Sequence, residues 1–205
     1  MEQRYFFAIR YVAKRADFAL LAGRCISVLH GFLSRHQLTG IGVNFPDWTE
    51  SSLGQTIAFV GKDVGFLGQL RKQSYFEMME RDQLFERSKL KPVPQGCREI
   101  QFKRNQNIAK CFPGEKRRRL ERAKRRAEAR GEVFAPAETG QASQLEAFHS
   151  ILMHSKSSSQ QYLLHIQRKV GLELVSEDFG QYGLATNLIH QGTQPELPRG
   201  RTLFD

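Results

Sequence analysis

The sequence has little that would point to redox chemistry, a membrane or a metal. Its three cysteines, Cys25, Cys97 and Cys111, are odd in number and widely spaced, and no Cys-x-x-Cys pair occurs. A disulfide framework and a zinc ribbon are thereby excluded, and the thiols are expected to be reduced and mostly buried. No apolar run approaches the ~18 residues that a spanning helix needs. The opening Met1-Glu2-Gln3-Arg4-Tyr5-Phe6-Phe7 lacks the basic region, long apolar segment and small-residue cleavage site of a secretory signal. A soluble, cytoplasmic protein is expected. The six histidines, His30, His36, His149, His154, His165 and His190, offer no pair spaced with carboxylate or cysteine companions for a metal. Neither a metal nor another cofactor is expected. Acids are scarce as well, 21 against 31 Lys and Arg, for a formal net charge of +10.

That charge is concentrated. Residues 98–130 hold thirteen Lys and Arg against four acids, which is nine of the ten net charges. Neutralising phosphates with release of counterions is the usual use of such a cluster, so a polyanion is implied, nucleic acid first and an anionic membrane surface second. Within the cluster, Glu115 to Arg130 is free of Gly and Pro, Pro113-Gly114 stands before it and Gly131 after it, where a C-cap glycine belongs. A helix is predicted there. Leu120, Ala123 and Ala127 give it a thin apolar stripe by which to dock, and Glu121 with Arg125 makes a favourable i,i+4 pair. Nine basic residues among the fifteen from Lys116 to Arg130 exceed what a solvated charged face, the bland alternative, requires. No leucine heptads accompany them, which argues against a zipper-type DNA reader. Close to the loop or end of a short RNA hairpin the otherwise narrow groove opens, and guanidinium groups can grip phosphates and guanine edges there.

The remaining pattern predicts an α+β fold. Arg4 to Val12 reads as a strand with Phe7, Ile9 and Tyr11 on one face. Asp17 then caps a helix whose stripe runs through Phe18, Leu21, Cys25, Val28, Leu29 and Phe32, with Gly31 and Gly40 loosening its end. Ile41–Phe45 and Gln55–Gly61 read as strands, Lys62–Gln73 as a second helix, followed by an extended stretch before Pro92 and Pro94. That order is ferredoxin-like, as in RRM-type RNA binders, and residues 1–95 are assigned to such a domain. Residues 96–205 form a second domain: a strand at Arg98–Arg104, the arginine-rich helix, a connector over 135–145, strands at Gln161–Lys169 and Leu172–Val175 forming a small antiparallel sheet, and little regular structure over 191–201. On the first of these strands Tyr162, Leu164 and Ile166 share a face.

An RNA partner opens a route to catalysis that needs neither metal nor protein nucleophile. The ribose 2′-OH attacks the adjacent phosphate if a histidine near neutral pKa moves its proton and hydroxyls fix its geometry. Composition does not single out one histidine for that task.

Several short motifs do. Val28-Leu29-His30-Gly31, followed eleven residues after His30 by Ile41-Gly42-Val43-Asn44-Phe45-Pro46-Asp47, resembles the type I-F CRISPR RNA-processing endoribonuclease (Csy) family. In that family a histidine ends the first helix and a near-identical I-G-V-S-F-P-D strand follows. Ser155-Lys156-Ser157-Ser158-Ser159-Gln160-Gln161-Tyr162 is similar to its serine-rich loop running into an aromatic, Tyr182-Gly183-Leu184 to its late Y-G-L, and the arginine-rich helix lies between. The resemblance spans about residues 4–185. It implies that His30 is the general base, Ser155 holds the ribose, and Tyr182 orients the imidazole, with His154 as the competing base. It also implies RNA contacts from Arg118, Arg119, Arg122, Arg125, Arg126, Lys103, Arg104, Gln106, Ser157 and Tyr162, the last either stacking a base or packing in the core. Two helix registers remain open, Arg118 with Arg122 or Arg122 with Arg126. The expected substrate is the repeat hairpin of precursor CRISPR RNA, cut at its 3′ base to a 2′,3′-cyclic phosphate and a 5′-OH. The expected partners are the other subunits of a guide RNA surveillance (Cascade) complex, including its backbone subunit. The Arg130-Gly131-Glu132-Val133-Phe134 end is more similar to members encoded with CRISPR-associated transposons, which adds a transposition-targeting protein. The alternatives are a catalytically silent subunit that only holds the hairpin, and a general RNA binder of the ribosomal type.

Overall fold

The computed structural model describes residues 2–13, 16–134, 146–154, 159–186 and 188–205, and the backbone but not the side chain of Lys116. Its first sheet grows from β1 (Tyr5–Tyr11), whose alternation sends Phe7, Ile9 and Tyr11 to one face and Phe6 and Ala8 to the other. The chain continues through α1 (Phe18–His36), β2 (Gly42–Asn44), β3 (Thr56–Gly61), α2 (Val64–Arg71), α3 (Ser74–Arg81), β4 (Phe85–Arg87) and β5 (Lys91–Pro92). The strands pair antiparallel in the order β2-β3-β1-β4, with β5 also on β1, which is the ferredoxin-like arrangement. A second antiparallel sheet, β7-β8-β6-β9, holds β6 (Glu99–Arg104), β7 (Phe148–His154), β8 (Gln161–Leu172) and β9 (Gln194–Pro195). The fold is α+β with antiparallel sheets, as the pattern indicated.

α1 lies between the two sheets and gives them one core. Asp17 caps it as predicted, its carboxylate accepting from Leu20 N at 3.0 Å. Cys25, Leu29 and Phe32 share one buried cluster with Phe7, Ile9 and Phe59 of the first sheet and with Ile151, Met153, Leu164 and Ile166 of the second. Gly31 does not loosen the helix, which runs on to His36 and ends at Gln37 in the left-handed conformation (φ 53°). His30 thus sits within α1 and away from the C-terminal dipole.

The back of the first sheet is also covered. Leu197, Leu203 and Phe204, on or beside a 3₁₀ turn at Gly200–Leu203, pack against Phe6, Ala8, Ala58, Val60 and Val93. In RRM-type domains that open face stacks single-stranded bases, and here the chain's own tail occupies it.

Three expectations are corrected. The predicted second helix is α2, which begins only at Val64, where the Asp63 carboxylate caps it, and a further helix, α3, falls in the stretch predicted to be extended. Leu172–Val175 is not a separate strand, because β8 runs through to Leu172 and Glu173–Val175 has no strand structure. β7 falls where no strand was predicted. The connector over 135–145 lies outside the described residues. Among the described residues no helix is long and apolar enough to cross a membrane.

Candidate RNA-cleavage site and arginine helix

The turn after Gly180 carries Tyr182 to the side of α1. Gly183 makes this possible: its φ is +68°, and a Cβ there would stand 2.7 Å from Leu29 Cδ2 and 2.9 Å from Val43 Cγ2. Its carbonyl accepts from Val43 N at 2.7 Å, and two residues on, Ala185 bonds Phe102 and Arg104 of β6 through its backbone. One short segment is thereby pinned to α1, β2 and β6 together.

At this junction the Tyr182 ring lies against the His30 imidazole, with centroids 4.8 Å apart. The neighbouring carbonyl of Gln181 is 3.2 Å from His30 Nδ1. A carbonyl can only accept, so Nδ1 carries the hydrogen, and in the neutral imidazole Nε2 is left with its lone pair. That is the tautomer a general base needs. On the Tyr182 ring also lies the Arg104 guanidinium, 5.2 Å from the centroid. With its amide oxygen turned to the guanidinium, Gln106 accepts from Arg104 Nε at 3.0 Å. Tyr162 of β8 completes the group, its hydroxyl 2.7 Å from that of Tyr182. Burial and that hydroxyl push the Tyr162 phenol up to about 12, so it stays neutral at ordinary pH.

The structure therefore gathers His30, Tyr182, Tyr162, Arg104 and Gln106 from four separate stretches of sequence. Lys103 points to the opposite face of β6, opposite Gln167, where burial and the charge of Lys169 lower its pKa. Ser155 and Ser157 lie outside the described residues. His154, exposed at the end of β7 opposite Gln161, makes no contact with His30 among the described residues.

Three other histidines have structural partners. His149 Nε2 lies 2.8 Å from the Thr49 carbonyl and its ring packs on Trp48. His165, 2% exposed, bonds the Ser150 hydroxyl at 2.8 Å among Phe112 and Phe148, and burial lowers its pKa. His190 pairs with Asp178 at 2.7 Å.

The basic segment forms α4 (Pro113–Ala129), closed as predicted by Gly131 at φ +70°. Gly131 N bonds Glu128 O and Glu132 N bonds Ala127 O, the paired bonds of a Schellman cap. At about 100° per residue, Arg118, Arg119, Arg122, Arg125 and Arg126 fall within an arc of roughly 120°. The only acid in that arc is Glu115, which bonds Arg122 at 2.7 Å and approaches Arg118 at 3.9 Å. A neighbouring strip neutralises itself through Arg117–Glu121 and Lys124–Glu128. Glu121 takes Arg117 as its partner, not Arg125.

The apolar stripe does not dock the helix. Leu120 is 43% exposed and Ala123 exposed, and only Ala127 is buried. Two alanines and one leucine offer too little area to hold a helix down against so many solvated charges. The arginine face is left open along its length, and no hydrogen bond or ion pair joins it to the His30 group among the described residues.

Sequence reasoning missed Glu115 as the acid partner of the arginine face and Gly183 as the residue that lets the Tyr182 turn pack close. The i,i+3 spacing of Glu115 and Arg118 was a signal for the first. For the second there was none beyond the glycine itself.

An α+β protein that carries an open arginine helix and a histidine set between a backbone carbonyl and a tyrosine ring is, in class, an RNA-processing protein. Residues 10–196 match the family described as CRISPR-associated protein (Cas_Csy4), and the chain belongs to that family of CRISPR-associated endoribonucleases that process and bind CRISPR RNA. No curated protein matches the chain.

Proposed function

We propose that the protein cuts the repeat hairpin of precursor CRISPR RNA at its 3′ base without a metal, and stays bound as the hairpin-capping subunit of a type I-F Cascade complex. The observation that carries this reading is the bond from His30 Nδ1 to the Gln181 carbonyl, which leaves Nε2 free to take a proton. His30 removes the proton of the 2′-OH at the scissile nucleotide, and the oxygen attacks the adjacent phosphorus. The 5′ oxygen of the next nucleotide leaves and takes a proton from solvent, giving a 2′,3′-cyclic phosphate and a 5′-OH, and His30 then returns its proton to water. Tyr182 keeps the imidazole in line, and Ser155 holds the ribose. Arg104, stacked on the Tyr182 ring, favours the extra negative charge that develops on the phosphate. The arginine face of α4 grips the stem. Other Cascade subunits, a backbone subunit first and a transposition-targeting protein in a transposon-encoded system, meet the capped end.

The test is to mix the protein with repeat RNA in EDTA and map the products. A single cut at the 3′ base with a cyclic phosphate end is expected, and a 2′-deoxy substitution at the scissile nucleotide should stop it. Cleavage of the deoxy substrate would exclude the intramolecular attack. Tight binding with no cut would define a subunit that only holds the hairpin.

A further inference from the structure

We propose that the Tyr162 hydroxyl is a positioning group for cleavage, holding the Tyr182 ring against His30 through the bond between the two hydroxyls. This rests on the reading of His30 as the general base.

Tyr182 rides on a turn, so its backbone is fixed while its side chain depends on what the ring touches. Against His30 and Arg104 it has only face contacts, which tolerate sliding. The 2.7 Å hydroxyl bond fixes the far end of the ring. Its partner is well anchored. Tyr162 is paired in β8 with Met153 of β7, and the Met153 sulfur lies 3.5 Å from where a Cβ on Gly23 of α1 would stand. The contacts therefore close on themselves, from α1 through Met153 to Tyr162, across to Tyr182, and back to α1 at His30. The helix that carries the base also sets, through the second sheet, the hydroxyl that keeps the base aligned. Base stacking or core packing would require only the Tyr162 ring, whereas this role requires its oxygen.

Tyr162→Phe keeps the ring and removes the oxygen. Single-turnover cleavage and hairpin affinity are measured for Tyr162→Phe, Tyr182→Phe, the double variant and His30→Ala. The expected result is a cleavage rate constant about 10- to 100-fold lower for Tyr162→Phe, the scale on which small misplacements act, with hairpin Kd within about twofold. The double variant should be no slower than the slower single, since both remove one interaction. An undiminished Tyr162→Phe, an undiminished Tyr182→Phe, losses that multiply, or a loss of affinity matching the loss of rate would each overturn the proposal. If His30→Ala is inactive while Tyr162→Phe cuts normally, only the positioning role fails. If His30→Ala cuts normally, or the wild-type chain does not cut at all, the underlying reading fails and this proposal with it.

Discussion

Gly23 of α1 lies against Leu152 of β7 so closely that a Cβ on the glycine would stand 2.8 Å from the Leu152 carbonyl oxygen and 2.9 Å from Ile151 Cγ2. The second sheet reaches the helix only because that side chain is missing. Gly23→Ala should push β7 outward and destabilise the fold by about 1–3 kcal/mol, as overpacking does. Thermal or urea unfolding reads this, and an unchanged midpoint would mean that the sheet can shift at no cost.

Gly183→Ala should act on the site as well as on stability. The residue holds φ +68° and has Leu29, Val43 and the Ile41 carbonyl where a Cβ would go. A cost of at least ~1 kcal/mol is expected from the strained backbone alone. In protein that remains folded, cleavage should fall further than hairpin affinity. Equal losses of both would place the turn in binding and not in alignment.

Glu115 offers a test in the direction of gain. Glu115→Gln frees Arg118 and Arg122 from their acid partner and removes the one negative charge of the arginine face. Hairpin affinity should rise severalfold, with a steeper salt dependence as more phosphate contacts form. Arg122→Ala, common to both helix registers, should weaken binding by at least ~10-fold, about 1.4 kcal/mol, and relax stem preference. Filter binding at two salt concentrations measures both, and no change in either variant would make the helix a solvated face.

Stability should fall on mild acidification because of His165. Its folded pKa is lowered by burial, so the unfolded chain takes up a proton near pH ~6.5 that the native state refuses. The native state is therefore favoured above that pH, and the advantage is lost as pH falls below it. The melting temperature should decline between about pH 6.5 and 5, and His165→Gln should flatten the slope. An equal decline in that variant would assign the effect to another histidine.

What the sequence made legible were features with local causes. The Asp17 cap, the inward faces of β1 and β8, and the Gly131 terminus each depend on residues a few positions apart. What it hid depends on contact at long range. β7 escaped because Phe148–His154 puts apolar and polar residues on both faces, with Leu152 exposed beside Leu163 of β8. α3 buries Phe76 and Met79 on one side, but no side-chain cap marks its start and only two residues separate it from α2. The resemblance singled out His30, Tyr182 and Tyr162 as separate residues. That their rings and hydroxyls meet, with Arg104 on the same ring, depends on a turn 151 residues from His30.

The tail that lies over the first sheet sets an order for biosynthesis. β1 leaves the ribosome well ahead of Leu197, Leu203 and Phe204, which follow it far along the chain. Until then Phe6, Ala8, Ala58 and Val60 form a bare apolar surface on a sheet that has otherwise paired its strands. A nascent chain stalled before residue 197 would expose the sticky face that the finished protein hides, and would be a natural client for chaperones.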